Sequence, residues 1–205
     1  MFKIDYNPVY ERWHERMSVL PEEKRQLIET FIEKRRTKED NFQIIKRTRR
    51  EKKDGDVFVC TLNGLVYYYG KILKANIKSI KEGWFNGCIL VSMFKEKTLN
   101  KSLTDFRGDY KNLIGYAPYI ITSQYWSSGW FETIGSVPIT DEELNLDFGY
   151  FRRNFINPGG TFCRYDESEL DHFPKYFNSM GITTLTGISD DYRIEAIIDP
   201  TLLMP

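Results

Sequence analysis

Asn63-Gly64 constrains this chain more than any other pair of residues. It separates residues 57–62 from residues 65–73, two runs rich in β-branched and aromatic side chains. Asn-Gly best satisfies the two positive φ angles of a type I′ turn, so the three stretches together predict a β-hairpin. Residues 88–94, 118–122, 130–134, 161–165 and 192–198 are further strand candidates, each β-branched or aromatic and bounded by Gly, Pro, Asn or Asp.

Upstream of Asp54 the period is helical instead. Tyr10, Trp13, Met17 and Leu20 fall on one helical face, and Pro21 then forces a break, with Glu22 and Glu23 suited to a new helix N-terminus. Leu27, Ile28, Phe31 and Ile32 form a second apolar stripe. A charged run follows to Lys53, broken by Phe42, Ile44 and Ile45 and ending in the cluster Lys46, Arg47, Arg49, Arg50, Lys52 and Lys53, which reads as a linker or docking strand. The expected fold class is α+β, a bent antiparallel β-sheet or small β-barrel with an N-terminal helical arm. Residues 1–53 would be the helical arm and charged linker, and residues 54–205 the main β-rich domain.

Smaller expectations complete the outline. Residues 95–112 read as a loop or short helix, with Thr104, Asp105 and Asp109 as candidate caps. Thr140 followed by Asp141, Glu142 and Glu143 is a capping box, and residues 168–180 suggest another helix. There is no internal repeat.

An apolar fraction of 41 % with 15 % aromatic residues is ample for a packed interior, which rules out a chain disordered throughout. The 29 basic and 29 acidic residues cancel but are unevenly placed. Residues 1–53 hold 15 Lys or Arg against 10 Asp or Glu, whereas residues from Asn154 onward hold 3 against 8, an acidic end suited to a basic partner. Cys60, Cys88 and Cys163 form no Cys-x-x-Cys pair and read as reduced, buried thiols. Residues 1–20 carry six Asp, Glu, Arg or His and lack the apolar core of a signal peptide, and no run approaches a membrane span, so the expected location is cytoplasmic.

A search for catalytic machinery turns up little. The two histidines are His14, on the helical arm, and His172. By residue type Cys163 and His172 with Asp171 could form a nucleophilic set, but Phe162-Cys163-Arg164 alternates like an ordinary strand. There is no Gly-x-Ser-x-Gly, phosphate-binding Gly-x-x-x-x-Gly-Lys or His-Glu-x-x-His motif, and Asp54-Gly55-Asp56 lacks the spaced ligands of a calcium loop. The adjacent carboxylates Asp166-Glu167 and Asp190-Asp191 read as solvated turns, being unable to share a substrate from a strand. The expectation is a protein with no catalytic residues, no metal and no cofactor.

Aromatic residues are the more suggestive signal. Tyr67, Tyr68 and Tyr69 must occupy both faces of a strand, and Trp126 and Trp130 flank a Ser-Ser-Gly turn. Rings of this kind are enriched where proteins meet, because they bring large area and a polar tip at low entropic cost. Tyr68, Trp126 and Trp130 are therefore the candidate exposed anchors, with Asp166, Glu167, Asp190 and Asp191 as an acidic rim. Plugging the end of a barrel is the competing role for the two tryptophans.

Two stretches carry a family resemblance. Asp54-Gly55-Asp56-Val57-Phe58, then Leu62, then Tyr67-x-Tyr69-Gly70-Lys71-Ile72-Leu73, resembles the opening of the immunity protein 26 family of bacterial polymorphic toxin systems. The run from Gly129-Trp130-Phe131 through Ile134-Gly135 to Pro138-Ile139 is similar to that family's Trp-x-x-Ile-Gly-x-x-Pro segment. The resemblance implies a cytoplasmic antidote that binds and occludes a cognate toxin domain, with a nuclease as one class of target, and it brings no catalytic residues. The second reading is a nucleic-acid-binding module in which residues 46–53 touch phosphate and Tyr67, Tyr68, Tyr69 or Trp126 stack bases, against which the neutral total charge speaks. The N-terminal helices also offer a surface for self-association.

Overall fold

The structure is a computed structural model that describes residues 2–4, 8–35, 42–77, 86–115, 118–144, 149–151, 160–164 and 187–205. Its elements in chain order are β1 (Phe2–Ile4), α1 (Pro8–Val19), α2 (Glu22–Arg35), β2 (Asp56–Cys60), β3 (Tyr67–Lys74), β4 (Ile89–Thr98), β5 (Tyr119–Ile121), α3 (Gln124–Ser127), β6 (Glu132–Ser136), α4 (Asp141–Leu144), β7 (Gly149–Phe151), β8 (Gly160–Arg164) and α5 (Ile188–Ile198). Five strands form one antiparallel sheet in the order β5-β4-β3-β2-β6, and β1, β8 and β7 form a second, smaller one. The fold is α+β, as expected. The larger sheet is open, with β5 bonded only to β4 and β6 only to β2, so the barrel alternative is set aside. Its end strands are only three and five residues long, too short to close a barrel on one another. Register shifts at 57/58, 68/70 and 72/74 bend the sheet instead.

Alternation along the strands sorts the side chains between two buried faces. One face carries Phe58, Cys60, Tyr68, Ile72, Val91 and Met93 and is covered by Trp126, Phe131, Tyr192 and Leu202. The other carries Val57, Val59, Tyr69 and Phe94, packed against Leu113, Phe106 and Tyr110. Gly70 is where the first face is tightest, since an added Cβ would lie 2.3 Å from Phe58 Cζ and 2.9 Å from Met93 Sδ.

The β2–β3 hairpin forms, but not through a type I′ turn. Gly64 has φ +75°, whereas Asn63 does not reach positive φ, Lys101 being the only non-glycine that does among the described residues. Six residues connect the strands, and side chains close the loop. The Thr61 hydroxyl donates to Val66 O at 2.6 Å and accepts from Gly64 N at 2.9 Å, while Asn63 Oδ1 accepts from Leu65 N at 2.9 Å.

Two more expectations change. Residues 192–198 are helical, within α5, because Ile188, Tyr192 and Ala196 recur at helical spacing on a buried face and Asp190 accepts from Gly187 N at 3.0 Å as a cap. Residues 95–98 continue β4, and two 3₁₀ turns follow at Leu103–Asp105 and Tyr110–Asn112, the second capped by Asp109 as expected and the first by Ser102 in place of Thr104 or Asp105. The Thr140 box stands as expected, with Thr140 N donating to Glu143 Oε2 at 2.8 Å and Glu143 N to Thr140 Oγ1 at 3.2 Å. The helix expected over 168–180 lies outside the described residues.

The N-terminal helices rest on α5. Arg16 meets Glu195 at 2.5 Å, Lys24 Nζ donates to Ile198 O at 2.5 Å, and Ile28 is fully buried. Lys95 meets the same Glu195 from β4 at 2.6 Å, so a carboxylate only 3 % exposed ties arm, helix and sheet together.

A second buried charge pair sits on the other face. Lys71 is 3 % exposed and its ammonium lies 2.7 and 2.9 Å from the Glu143 oxygens and 3.0 Å from Pro138 O, while the Tyr110 hydroxyl donates to Glu143 at 2.5 Å. Burial alone would raise the Glu143 carboxyl, but hydrogen bonds from Lys71, Tyr110 and Thr140 and the Lys71 charge hold it below the ordinary carboxylate value. A depressed folded-state value contributes stability above the unfolded-state value, and that contribution is lost as pH falls through the folded one. Glu143→Ala should therefore cost about 3–5 kcal/mol in urea melts at neutral pH, because it strands a buried ammonium, and should make the remaining stability less sensitive to acid. A loss below about 1 kcal/mol would show that the pair is not buried as described.

Candidate partner-binding surface

Residues 42–53 form no helix or strand, yet their backbone is pinned. Phe42 is buried against Phe131 and Tyr192, Gln43 N donates to Thr61 O at 2.9 Å, Ile45 N to Gly129 O at 2.7 Å and Thr48 N to Trp126 O at 3.0 Å. With Phe42 buried and the amides of Gln43, Ile45 and Thr48 engaged, the segment presents its charges to solvent, where burial costs do not apply. Lys46, Arg47, Arg49, Arg50 and Lys53 are exposed. Arg50 lies 3.5 Å from Asp56 and Lys46 only 3.9 Å from Glu132, while Arg47, Arg49 and Lys53 have no ion pair among the described residues. The segment is a cationic ridge held by its backbone.

Lys52 turns inward. Its ammonium donates to Arg50 O at 2.5 Å and stands 5.3 Å from the Trp126 ring centroid. Burial lowers its pKa below the ordinary lysine value, Asp56 opposing and Arg50 reinforcing the shift. Beside it opens a groove of about 390 Å³, lined among others by Thr48, Arg49, Arg50, Lys52, Asn76 and Ser127. Hydroxyl, amide and cationic residues thus line one concavity, together with a single carboxylate, Glu51.

The residues singled out as anchors divide. Tyr68 is fully buried, its hydroxyl donating to Leu202 O at 2.8 Å, and burial, with Cys60 nearby, pushes its phenol far up. Trp126 is also fully buried, with Nε1 donating to Thr133 Oγ1 at 3.0 Å. Neither ring is exposed, contrary to expectation, because both faces of the sheet are covered and a strand here has no solvent side. Trp130 is half-buried, edge-on to Tyr125 at 5.6 Å, and keeps surface to offer.

The acidic rim divides likewise. Asp190 caps α5 and is 8 % exposed, and Asp191 accepts from the Tyr119 hydroxyl at 2.7 Å, so both are helix-terminus residues and neither is a solvated turn. Asp166 and Glu167 lie outside the described residues, as does His172, while Cys163 lies on β8. Burial pushes the Cys60 thiol well up despite a hydrogen bond with Tyr192, which makes it a poor nucleophile. Among the described residues no three His, Cys, Asp or Glu gather where a metal ion could bind.

Two members of the surface were not singled out from the sequence. Ile44 is 60 % exposed, and an added Cβ at Gly129, whose φ is +86°, would lie 2.9 Å from both Ile44 Cγ2 and Arg47 Cγ. Ile44 and Arg47 therefore press onto the residue preceding Trp130, placing an aliphatic, a guanidinium and an indole at neighbouring positions, the composition favoured at interface centres. The available signal was the adjacent pair Ile44-Ile45 within a charged run, of which a docked extended segment buries one more than the other.

Core and surface roles predict opposite responses to truncation. Trp126→Ala should cost about 3–5 kcal/mol of stability by emptying a packed site, whereas Trp130→Ala should cost roughly 1 kcal/mol or less. Equal losses in chemical melts would contradict this assignment.

Residues 53–158 match the family model of immunity protein 26, whereas no curated protein and no solved structure matches the chain. The matched stretch begins at Lys53, the last cation of the ridge, and takes in all five strands of the larger sheet. It covers more than half of the 205 residues. On that match, carried by the sheet itself, the chain belongs to the immunity protein 26 family.

Proposed function

We propose that this chain binds a cognate protein toxin domain in the cytoplasm and neutralises it by occlusion, performing no chemistry of its own. The family match over the whole larger sheet carries the reading, since that family consists of immunity proteins of toxin systems. The surface around Ile44, Arg47 and Trp130 supports it. Side chains held on a pinned backbone lose little freedom on binding, which is what a tight inhibitor requires. A nuclease is one class of toxin that such an inhibitor would block.

The alternative of a nucleic-acid-binding module is less well supported. Its proposed stacking rings include Tyr69 and Trp126, both fully buried, and Tyr67, over which Lys101 sits at 5.4 Å. Base stacking needs an open ring face.

Co-expression with the toxin domain encoded beside its gene tests the proposal. Growth should be restored and a stable complex should co-elute in size-exclusion chromatography, with Trp130→Ala weakening binding by about 30-fold, the equivalent of roughly 2 kcal/mol. A wild-type protein that neither binds that domain nor protects the cell would end the reading.

A further inference from the structure

We infer that the ridge of residues 46–53 and its adjoining groove are the docking site for an acidic segment of the toxin domain, an inference that rests on the immunity reading. The first argument is charge without neutralisation. Six cations stand within eight residues against one carboxylate, Glu51. Of these, Arg47, Arg49 and Lys53 have no acidic partner among the described residues, and the Lys46 and Arg50 pairs are long. Like charges packed this closely repel one another, and the arrangement persists because the backbone bonds of Ile45 and Thr48 hold it. An external anion would relieve that repulsion.

The second argument is the form of the groove. Guanidinium groups of Arg49 and Arg50 suit bidentate pairing with carboxylates, and the hydroxyls of Thr48 and Ser127 and the amide of Asn76 add neutral donors. The half-buried Lys52 ammonium has already lost part of its water, so an arriving carboxylate meets a cation with less hydration to remove.

The third argument separates a protein segment from a nucleic acid. Glu51 interrupts the ridge and Asp54 follows it, which a continuous phosphodiester chain would meet as repulsion and a protein surface of mixed sign would not. Trp126, the ring over which Lys52 stands, is buried and offers no platform for a base. The ridge also precedes the family-matched stretch almost entirely, so its charges belong to this chain's own choice of partner more than to the shared fold.

The test is a double charge reversal, Arg49→Glu with Lys53→Glu, at exposed positions that have no ion pair among the described residues. Affinity for the toxin domain encoded beside the gene would be measured at low and moderate salt, with urea melts verifying the fold and Lys111→Glu as a reversal on the 3₁₀ turn after β4. The expected result is an unchanged urea midpoint, a loss of affinity of about 100-fold at low salt carried largely by slower association, and a flattened salt dependence, with Lys111→Glu near wild type. Poly-L-glutamate should compete with the toxin for the wild-type protein.

Undiminished binding by the reversed variant would overturn the inference and leave the immunity reading standing. Failure of the wild type to bind the toxin domain would overturn both. Tight binding of a single-stranded RNA 20-mer that the reversal abolishes, with toxin affinity unchanged, would assign the ridge to nucleic acid instead. A reversed variant that no longer folds would be replaced by Arg49→Gln with Lys53→Gln, expected to lose about 10-fold in affinity, and equal affinity there would likewise overturn the inference.

Discussion

The enclosure of the Trp126 indole is the contact on which the remaining structure depends. The ring meets Phe58 of β2 edge-on at 5.0 Å and Phe131 at 5.3 Å, and its N–H is satisfied by Thr133 on β6. Its carbonyl accepts from Gly129 N and from Thr48 N, both at 3.0 Å, and Lys52 lies over the ring. One residue on a four-residue helix thus joins the centre of the sheet, its β6 edge and the charged segment. A large aromatic of this kind contributes by buried area and by ring geometry together. The ridge inherits its rigidity from a hydrophobic contact, although its own side chains are almost all charged.

Double-sided burial decides where a partner can bind. With β2 and β3 covered on both faces, the proposed interface lies at the rim of the sheet, at the ridge, the groove and Trp130. The charges inside the fold are already matched, Glu195 by Arg16 and Lys95 and Glu143 by Lys71. They stabilise particular junctions and are unavailable to a partner. Among the cations of the ridge, Arg47, Arg49 and Lys53 differ in having no ion pair among the described residues.

Much of the architecture was legible from local chemistry. The hairpin around Asn63-Gly64 and the Thr140 capping box appear as read, because each is set by residues a few positions apart, whereas the helical period read up to Asp54 gives way earlier, α2 ending at Arg35 and residues 42–53 forming neither helix nor strand. The turn type escaped because the Thr61 and Asn63 side chains substitute for backbone geometry. Residues 192–198 read as a strand because Tyr192, Ile194 and Ala196 also alternate, and only the packing against Phe42 and Tyr68 selects the helical period. Burial was the least legible property. The tyrosine run implied one exposed ring on the premise that a sheet has a wet face, and nothing local announces that residues 99–114 cover the second face here. The ridge read as a linker or docking strand, and the bonds from Ile45 and Thr48 select the docked alternative.

Hydrogen exchange of the free protein against its complex with the toxin domain bears most directly on an inhibitor that works through this rim. Amides of residues 44–53 and 129–130 should gain protection in the complex, with those of β2 and β3 already slow in both states. Protection confined to residues 187–204, with the ridge exchanging as in the free protein, would contradict the account and move the interface to the α5 side of the fold.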